Sequence, residues 1–304
     1  MKIKSSEELE SFLTSHNIYK YNYIDGSMVT RHHVEQILDA MRRGARYIET
    51  TLDLGLSRAQ IEIRGESIII DGLEISVKEL ERRVEEGFLY KLIGGDIVRM
   101  DMFKDSNYYK LKPVAIDKAP TIEINGVQMH RTIGKDPWSD ARDKVRALGR
   151  VRGLRVLEIG TGLGYSASHL ILLGASEVIS IEKDLNVLQL ASANPWSKML
   201  ENPRIKIVVG DAYNLVEDLC SECFEKIFHD PPRISIAEEL YSSEFYRELY
   251  RILRSNGKLF HYTGEPGKHS NISYLKGIKR RLEEAGFYKV LWINDAKGFI
   301  AFKP

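Results

Sequence analysis

The chain has 304 residues, 43% of them hydrophobic and 29% charged, with a formal net charge of +1. That is the balance of a soluble globular protein with room for two cores, and near-neutrality leaves any nucleic-acid contact to local patches. Apolar runs such as Leu170–Leu173 are far too short to span a bilayer, and no apolar stretch follows the lysines of the opening MKIKSSEELES; the expectation is a cytoplasmic protein with no membrane partner and no secretory signal.

In chain order, Glu7–Ser15 and His33–Arg43 carry helical periodicity, and Gln60–Ile63 and Ser67–Ile70 read as strands with turns at Arg64-Gly65-Glu66 and Asp71-Gly72. Val77–Glu86 reads as a helix stopped by Gly87. Tyr108–Ile116 and Thr121–Met129 are further strands, the latter broken at the hairpin signal Asn125-Gly126. This predicts a small α+β domain over residues 1–115 and a second domain over 116–304, reached through the helix Trp138–Leu148. Basic clusters recur at Arg31-His32-His33, at Arg42, Arg43 and Arg46, at Arg150, Arg152 and Arg155, and at Lys279-Arg280-Arg281. Each is equally a solvated helix face.

From Leu154 the pattern alternates short apolar strands with amphipathic helices. The strands are Arg155–Ile159, Glu177–Ile181, Ile205–Val209, Lys226–His229, Lys258–Tyr262, Tyr288–Ile293 and Phe299–Phe302. Ala237, Leu240, Tyr241, Phe245, Leu249 and Ile252 mark one helical stripe, and Ile272, Leu275, Ile278, Leu282 and Ala285 another. Such alternation implies a parallel sheet with crossover helices. Only Asn294–Gly298 separates the last two strands, too short for a parallel crossover, so the final strand is reversed.

The central motif is Glu158-Ile-Gly160-Thr161-Gly162-Leu-Gly164, at the turn from a buried strand into a helix, where open α/β sheets bind ligands. Glycines let the backbone turn tightly against a ligand. An acid before them suits a ligand bearing ammonium and sulfonium groups rather than phosphates. Glu182, followed by Lys183, closes the next strand, where a carboxylate can take ribose hydroxyls; Asp211, followed by Ala212, closes the third, where it can accept from an adenine amino group.

After the fourth strand comes Asp230-Pro231-Pro232-Arg233. Two prolines fix their φ angles and stiffen the loop, offering the Asp230 carboxylate and the Pro231 carbonyl as acceptors for the two N–H groups of a planar amine. Positioning of this kind supplies up to about 7–11 kcal/mol towards a transfer. The motif resembles the Asp/Asn-Pro-Pro-aromatic loop of amino-group methyltransferases, with Arg233 in place of the stacking aromatic; Tyr165, His261 and Tyr262 are the rings available to hold a substrate.

Together EIGTGLG, Glu182 and GDA resemble the S-adenosylmethionine-binding motifs of class I methyltransferases. The resemblance implies a Rossmann-like seven-stranded sheet with a reversed last strand, plus the small N-terminal α+β domain. It implies S-adenosyl-L-methionine as cofactor, with Gly160–Gly164 beside its methionine moiety, Glu182 at the ribose and Asp211 at the adenine. The chain also resembles predicted archaeal methyltransferases carrying GTGLG, NPWS (Asn194–Ser197) and DPPR, which implies methylation of an exocyclic base amine in RNA, cytidine N4 of ribosomal RNA foremost. The basic clusters would then hold phosphates. Within enzymes the alternatives are a protein or small-molecule N-methyltransferase and a polyamine aminopropyltransferase; the latter wants acids lining a polycation groove, against which Arg233 argues. A SAM- or RNA-binding module without catalysis is the non-enzyme alternative. No metal site is expected: Cys220 and Cys223 form a lone CxxC without the further ligands that zinc needs.

Overall fold

The computed structural model describes residues 2–264 and 271–304, the side chains of residues 2–6 and 271–272 excepted. The chain forms two compact units, one of residues 1–21, 139–185 and 200–304, the other of residues 22–138 and 186–199.

The larger unit is built on one sheet of eight strands: β1 (Ile18–Tyr19), β2 (Arg155–Ile159), β3 (Glu177–Glu182), β4 (Ile205–Val209), β5 (Phe224–His229), β6 (Leu253–Tyr262), β7 (Tyr288–Ile293) and β8 (Gly298–Phe302). Their order across the sheet is β1-β4-β3-β2-β5-β6-β8-β7. Strands β4, β3, β2, β5 and β6 run parallel, and β8 lies antiparallel between β6 and β7. The reversed strand is thus present, but the sheet has eight strands where seven were expected. The extra one, β1, is only two residues long and pairs antiparallel with β4. The helix Lys2–Ser15 before it buries Leu9, Phe12 and Leu13 in the same core as Leu157, Ile179, Ile227 and Phe245. Strands β2 and β3 are buried along most of their length, which is why they read as continuous apolar runs. The stripe from Ala237 to Ile252 is one 3₁₀ turn (Glu238–Tyr241) and one α-helix (Ser243–Ile252), divided at Ser242, whose hydroxyl accepts from the Phe245 N–H at 3.1 Å and caps the helix. The last stripe forms the helix Asn271–Glu284, burying Ile278 and Leu282; the side chain of Ile272 lies outside the described residues. Cys220 and Cys223 are joined by a disulfide.

The smaller unit is α+β. Tyr47–Thr50, Ala59–Arg64, Ser67–Ile70 and Leu73–Ser76 make an antiparallel meander, and the helices Arg31–Arg42 and Val77–Arg83 share its core through Val34, Ile37, Val77 and Leu80. Two further antiparallel sheets follow, and Asn125 sits at φ +48° in the hairpin that joins Thr121–Ile124 to Val127–Gln128. The NPWS segment belongs here as a brace. Asn194 Nδ2 donates to the Ser197 hydroxyl at 2.8 Å, and Trp196 Nε1 donates to the Leu54 carbonyl at 3.0 Å.

Among the described residues no helix is long and apolar enough to cross a membrane.

Candidate active site

Strands β2 and β5 are neighbours, so the glycine loop and the proline loop leave the sheet side by side. The Asp230 N–H donates to the Ile159 carbonyl at 3.0 Å, carrying the ladder one residue beyond β5. Gly160 has φ +90°, and a Cβ there would stand 2.5 Å from the Asp230 carbonyl oxygen. Only glycine accommodates both that dihedral and that approach. The loop then bends back on β3: Gly160 and Thr161 donate to the Ile181 carbonyl at 3.0 and 3.3 Å, and Gly162 donates to Glu182 Oε2 at 2.9 Å. Gly164, at φ +74° and pressed against Leu200, opens the helix Tyr165–Leu172.

Glu158 is fully buried. Its Oε2 accepts from the Ser180 hydroxyl, itself 2.6 Å from the Thr161 hydroxyl, while its Oε1 has no partner among the described residues. Burial pushes its pKa up to about 7, the hydrogen bonds from Ser166 and Ser180 opposing and the charges of Asp230 and Glu182 adding to the rise. Burial also raises Glu182, although its carboxylate accepts from the Gly162 and Asp184 N–H groups. Asp211 caps the helix Ala212–Asp218 by accepting from the Tyr213 N–H at 3.0 Å, and it pairs with the exposed Lys183 at 2.6 Å.

Beyond the glycine loop stands Asp230. Its Oδ2 lies 3.0 Å from Lys144 Nζ, which is 3.3 Å from Asp140 Oδ2 and 3.4 Å from the centroid of the Tyr262 ring. Burial raises the Asp230 pKa, with the Lys144 ammonium opposing. Burial works against the Lys144 charge too, but Asp230, Tyr262 and Asp140 outweigh it and raise its pKa. Lys144 and Asp140 are one helical turn apart on the helix Pro137–Leu148, and sequence reading passed over both. An i,i+4 acid–base pair there looks like a solvated helix face, and only the folded chain brings it to Asp230, 86 residues on.

Pro231 is buried and Pro232 exposed, the Pro232 carbonyl accepting from the Tyr241 hydroxyl at 2.8 Å. The Arg233 side chain is exposed, and its carbonyl accepts from the Ile236 and Ala237 N–H groups. Of the three candidate rings, Tyr262 stands by Asp230 through Lys144. Tyr165 is buried at the helix start. His261 is fully buried in the core, with Nε2 2.9 Å from the Tyr246 hydroxyl and its ring stacked on His229 at 4.4 Å. Burial drives both imidazoles down, His229 to about 3, so they are neutral.

Residues 150–292, the segment holding the glycine loop, Glu182, Asp211 and Asp230, match the model of the Spermine/spermidine synthase domain. An uncharacterized protein of Methanocaldococcus jannaschii is 43% identical over 221 residues, 72% of this chain and 75% of that one. The chain belongs to the family of that archaeal protein. A polyamine aminopropyltransferase of Thermoplasma volcanium is 25% identical over 231 residues, 74% of this chain and 80% of that one. In structure, a spermidine synthase crystallised with the transition state analogue AdoDATO matches with a TM-score of 0.55 at 19% identity, over 71% of this chain and 76% of that one. Spermidine synthase of Thermotoga maritima matches with a TM-score of 0.51 at 18% identity, over 71% and 75%. At those identities the likeness is one of fold.

These findings correct the expectation of a SAM-dependent RNA base-amine methyltransferase, and with it RNA, ribosomal RNA included, as partner. The matched domain is that of spermine and spermidine synthases, and curated relatives of Thermoplasma volcanium and Korarchaeum cryptofilum are polyamine aminopropyltransferases, not RNA methyltransferases. Several of the basic clusters are committed within the chain. Arg43 pairs with Asp39 at 2.9 Å, Lys279 and Arg280 with Glu283 and Glu284, and Arg281 donates to the Tyr241 carbonyl. His33 is buried, with its pKa lowered by that burial to about 4. The objection from Arg233 also falls away. Its side chain faces solvent, and the charged groups beside Asp230 are Lys144 and Asp140.

Proposed function

We propose that this chain transfers the aminopropyl group of decarboxylated S-adenosylmethionine to an amine nitrogen of a polyamine. The observation that carries the reading is the match of residues 150–292 to the Spermine/spermidine synthase domain, because that segment contains every acid of the site except Asp140.

The chemistry of the pocket supports this donor. Decarboxylated S-adenosylmethionine carries an ammonium and a sulfonium and no carboxylate. Burial raises the pKa of Glu158, Glu182 and Asp230 alike, the charges of Asp230 and Glu182 add to the rise at Glu158, and Glu158 keeps a buried oxygen without a partner. Such a cluster is relieved by a cation and strained further by an anion. A Cβ on Gly162 would meet nothing within 4 Å, so the loop leaves open space beside these acids.

The donor supplies a carbon made electrophilic by the adjacent sulfonium. The acceptor nitrogen attacks that carbon, the new C–N bond forms as the C–S bond breaks, and the bonding pair leaves on sulfur as a neutral thioether. Asp230 receives an N–H of the acceptor and balances the charge that develops on nitrogen. The two prolines hold the carboxylate in place while the nitrogen lines up. Glu182 takes the ribose hydroxyls and Asp211 the adenine amino group, neither of which reacts.

The test is to incubate the purified protein with decarboxylated S-adenosylmethionine and putrescine, cadaverine or spermidine and to follow products by mass spectrometry. An aminopropylated amine and a thioether nucleoside are expected in equal amounts, with the rate lowered about 10²–10⁴-fold in Asp230→Asn. No aminopropylated product from any of the three amines would overturn the reading.

A further inference from the structure

Lys144 has no part in the transfer as derived above, yet its ammonium is buried at the site. Two carboxylates and an aromatic face are what best binds an alkylammonium. At Asp230, Asp140 and Tyr262 that set already surrounds a cation of the chain itself, at 3.0, 3.3 and 3.4 Å. Lys144 engages only Oδ2 of Asp230; Oδ1 keeps no partner among the described residues. Asp140 on the helix Pro137–Leu148 also acts on Asp230, and the Asp230 charge in turn acts on Glu158 near the end of β2 and on Tyr241 on the 3₁₀ turn.

We propose that Lys144 makes the acceptor subsite selective for an uncharged amine nitrogen: its ammonium neutralises Asp230 and repels a second cation, and the free Oδ1 takes one N–H of the neutral amine. The inference rests on the reading of Asp230 as the group that meets the acceptor. An aliphatic amine in water is protonated up to a pH of about 10. A fixed like charge two bonds' reach away disfavours that proton, which is shed to solvent on entry. The lone pair then arrives ready for attack, and the remaining amines of a polyamine keep their charges outside the subsite. Lys144 is thus a positioning residue, acting on the substrate through Asp230.

Calorimetric binding of putrescine to the full chain tests this between about pH 8 and about pH 9.5, above the titration of Glu158 and below that of the free amine. For the unaltered protein the affinity rises about tenfold per pH unit, with about one proton released per amine bound. In Lys144→Met, checked for folding by its melting curve, the slope and the proton release fall towards zero; Lys144→Arg restores both. A purely structural role for Lys144 would lower stability and leave the slope alone. Tight binding with equal slopes in the unaltered protein and Lys144→Met overturns this inference while leaving the aminopropyl reading standing. A flat profile in the unaltered protein overturns it even if the Met variant does not fold. No binding of putrescine at all overturns this inference, while the aminopropyl reading is decided by the product assay with the three amines.

Discussion

Replacing Glu158 by glutamine removes a carboxyl that the fold holds protonated near neutrality, and the consequence for stability can be worked out. The pKa rises from the usual 4.5 to about 7 on folding. Between those values the folded chain keeps a proton that the unfolded chain has lost, so stability is highest below the lower value and falls as pH rises through the window. At about 1.4 kcal/mol per unit, the loss amounts to about 3 kcal/mol by the time Glu158 ionises. For a chain of this length that is roughly 5 °C in unfolding midpoint. Glutamine at 158 leaves an amide where the protonated acid stood, and any cost of placing it is the same at every pH. The assay is therefore a pair of melting series from pH 5 to pH 8.5. The midpoint of the unaltered protein should decline relative to Glu158→Gln as pH rises, the gap changing by about 5 °C across the window. Burial raises Glu182 and Asp230 too, but both proteins contain them, so the difference isolates Glu158. Parallel curves would refute the argument that its burial is what raises it. A bound cation should reverse the effect by favouring the ionised form, so the donor stabilises the protein more above about pH 7 than below it.

Two other substitutions probe the loops. Asp211→Ala loses the cap on the helix Ala212–Asp218, worth about 1 kcal/mol; the exposed pair with Lys183 adds little. The melting point should fall by roughly 2 °C and nucleoside affinity should drop in equilibrium binding, whereas unchanged affinity would remove Asp211 from the donor site. Gly160→Ala places a methyl 2.5 Å from the Asp230 carbonyl oxygen at φ +90°, a strain of roughly 1–3 kcal/mol that parts the two loops. Donor binding should be lost while circular dichroism stays native, and retained affinity would show that the loops can separate without consequence.

How much of this was legible depended on length and burial. Arg155–Ile159, Ile205–Val209 and Tyr288–Ile293 coincide with observed strands because each is an apolar run bounded by turn residues. Strand β6 begins at Leu253, five residues earlier than expected. Its first half, Arg254-Ser255-Asn256, is polar, and its pairing with β5 shifts register there. Ile18–Tyr19 and Met28–Val29 are two residues each, and two residues carry no period. Tyr90–Ile93 and Asp96–Arg99 were missed for another reason: charged residues interrupt them, and Lys91 is buried there by donating to the Ala193 carbonyl at 2.8 Å. In the candidate site, the acids adjoining the glycine and proline motifs could be named from neighbouring residues alone. Lys144 could not, because it meets Asp230 across 86 residues of chain and no local pattern records that contact.

The error over the transferred group has the same origin. A glycine loop followed by acids at successive strand ends answers to a nucleoside and a sulfonium, and these are common to donors of methyl and of aminopropyl groups. What separates the donors is the remote end of the molecule, a carboxylate in one case and none in the other. In the proposed reading that end meets not one residue but the combined field of Glu158, Glu182 and Asp230. Each has its pKa raised by burial, and Asp230 and Glu182 add to the rise at Glu158. Arg233 appeared to supply the positive charge that would offset them, since only two prolines separate it from Asp230. Proline fixes φ but not the direction of the next side chain, and here the guanidinium faces water while the loop carbonyls bind inward. The cation that does reach Asp230 comes from another helix and is already held by two carboxylates. On the proposed reading it tempers the acid at the acceptor end, leaving Glu158 and its unpartnered oxygen to meet the donor.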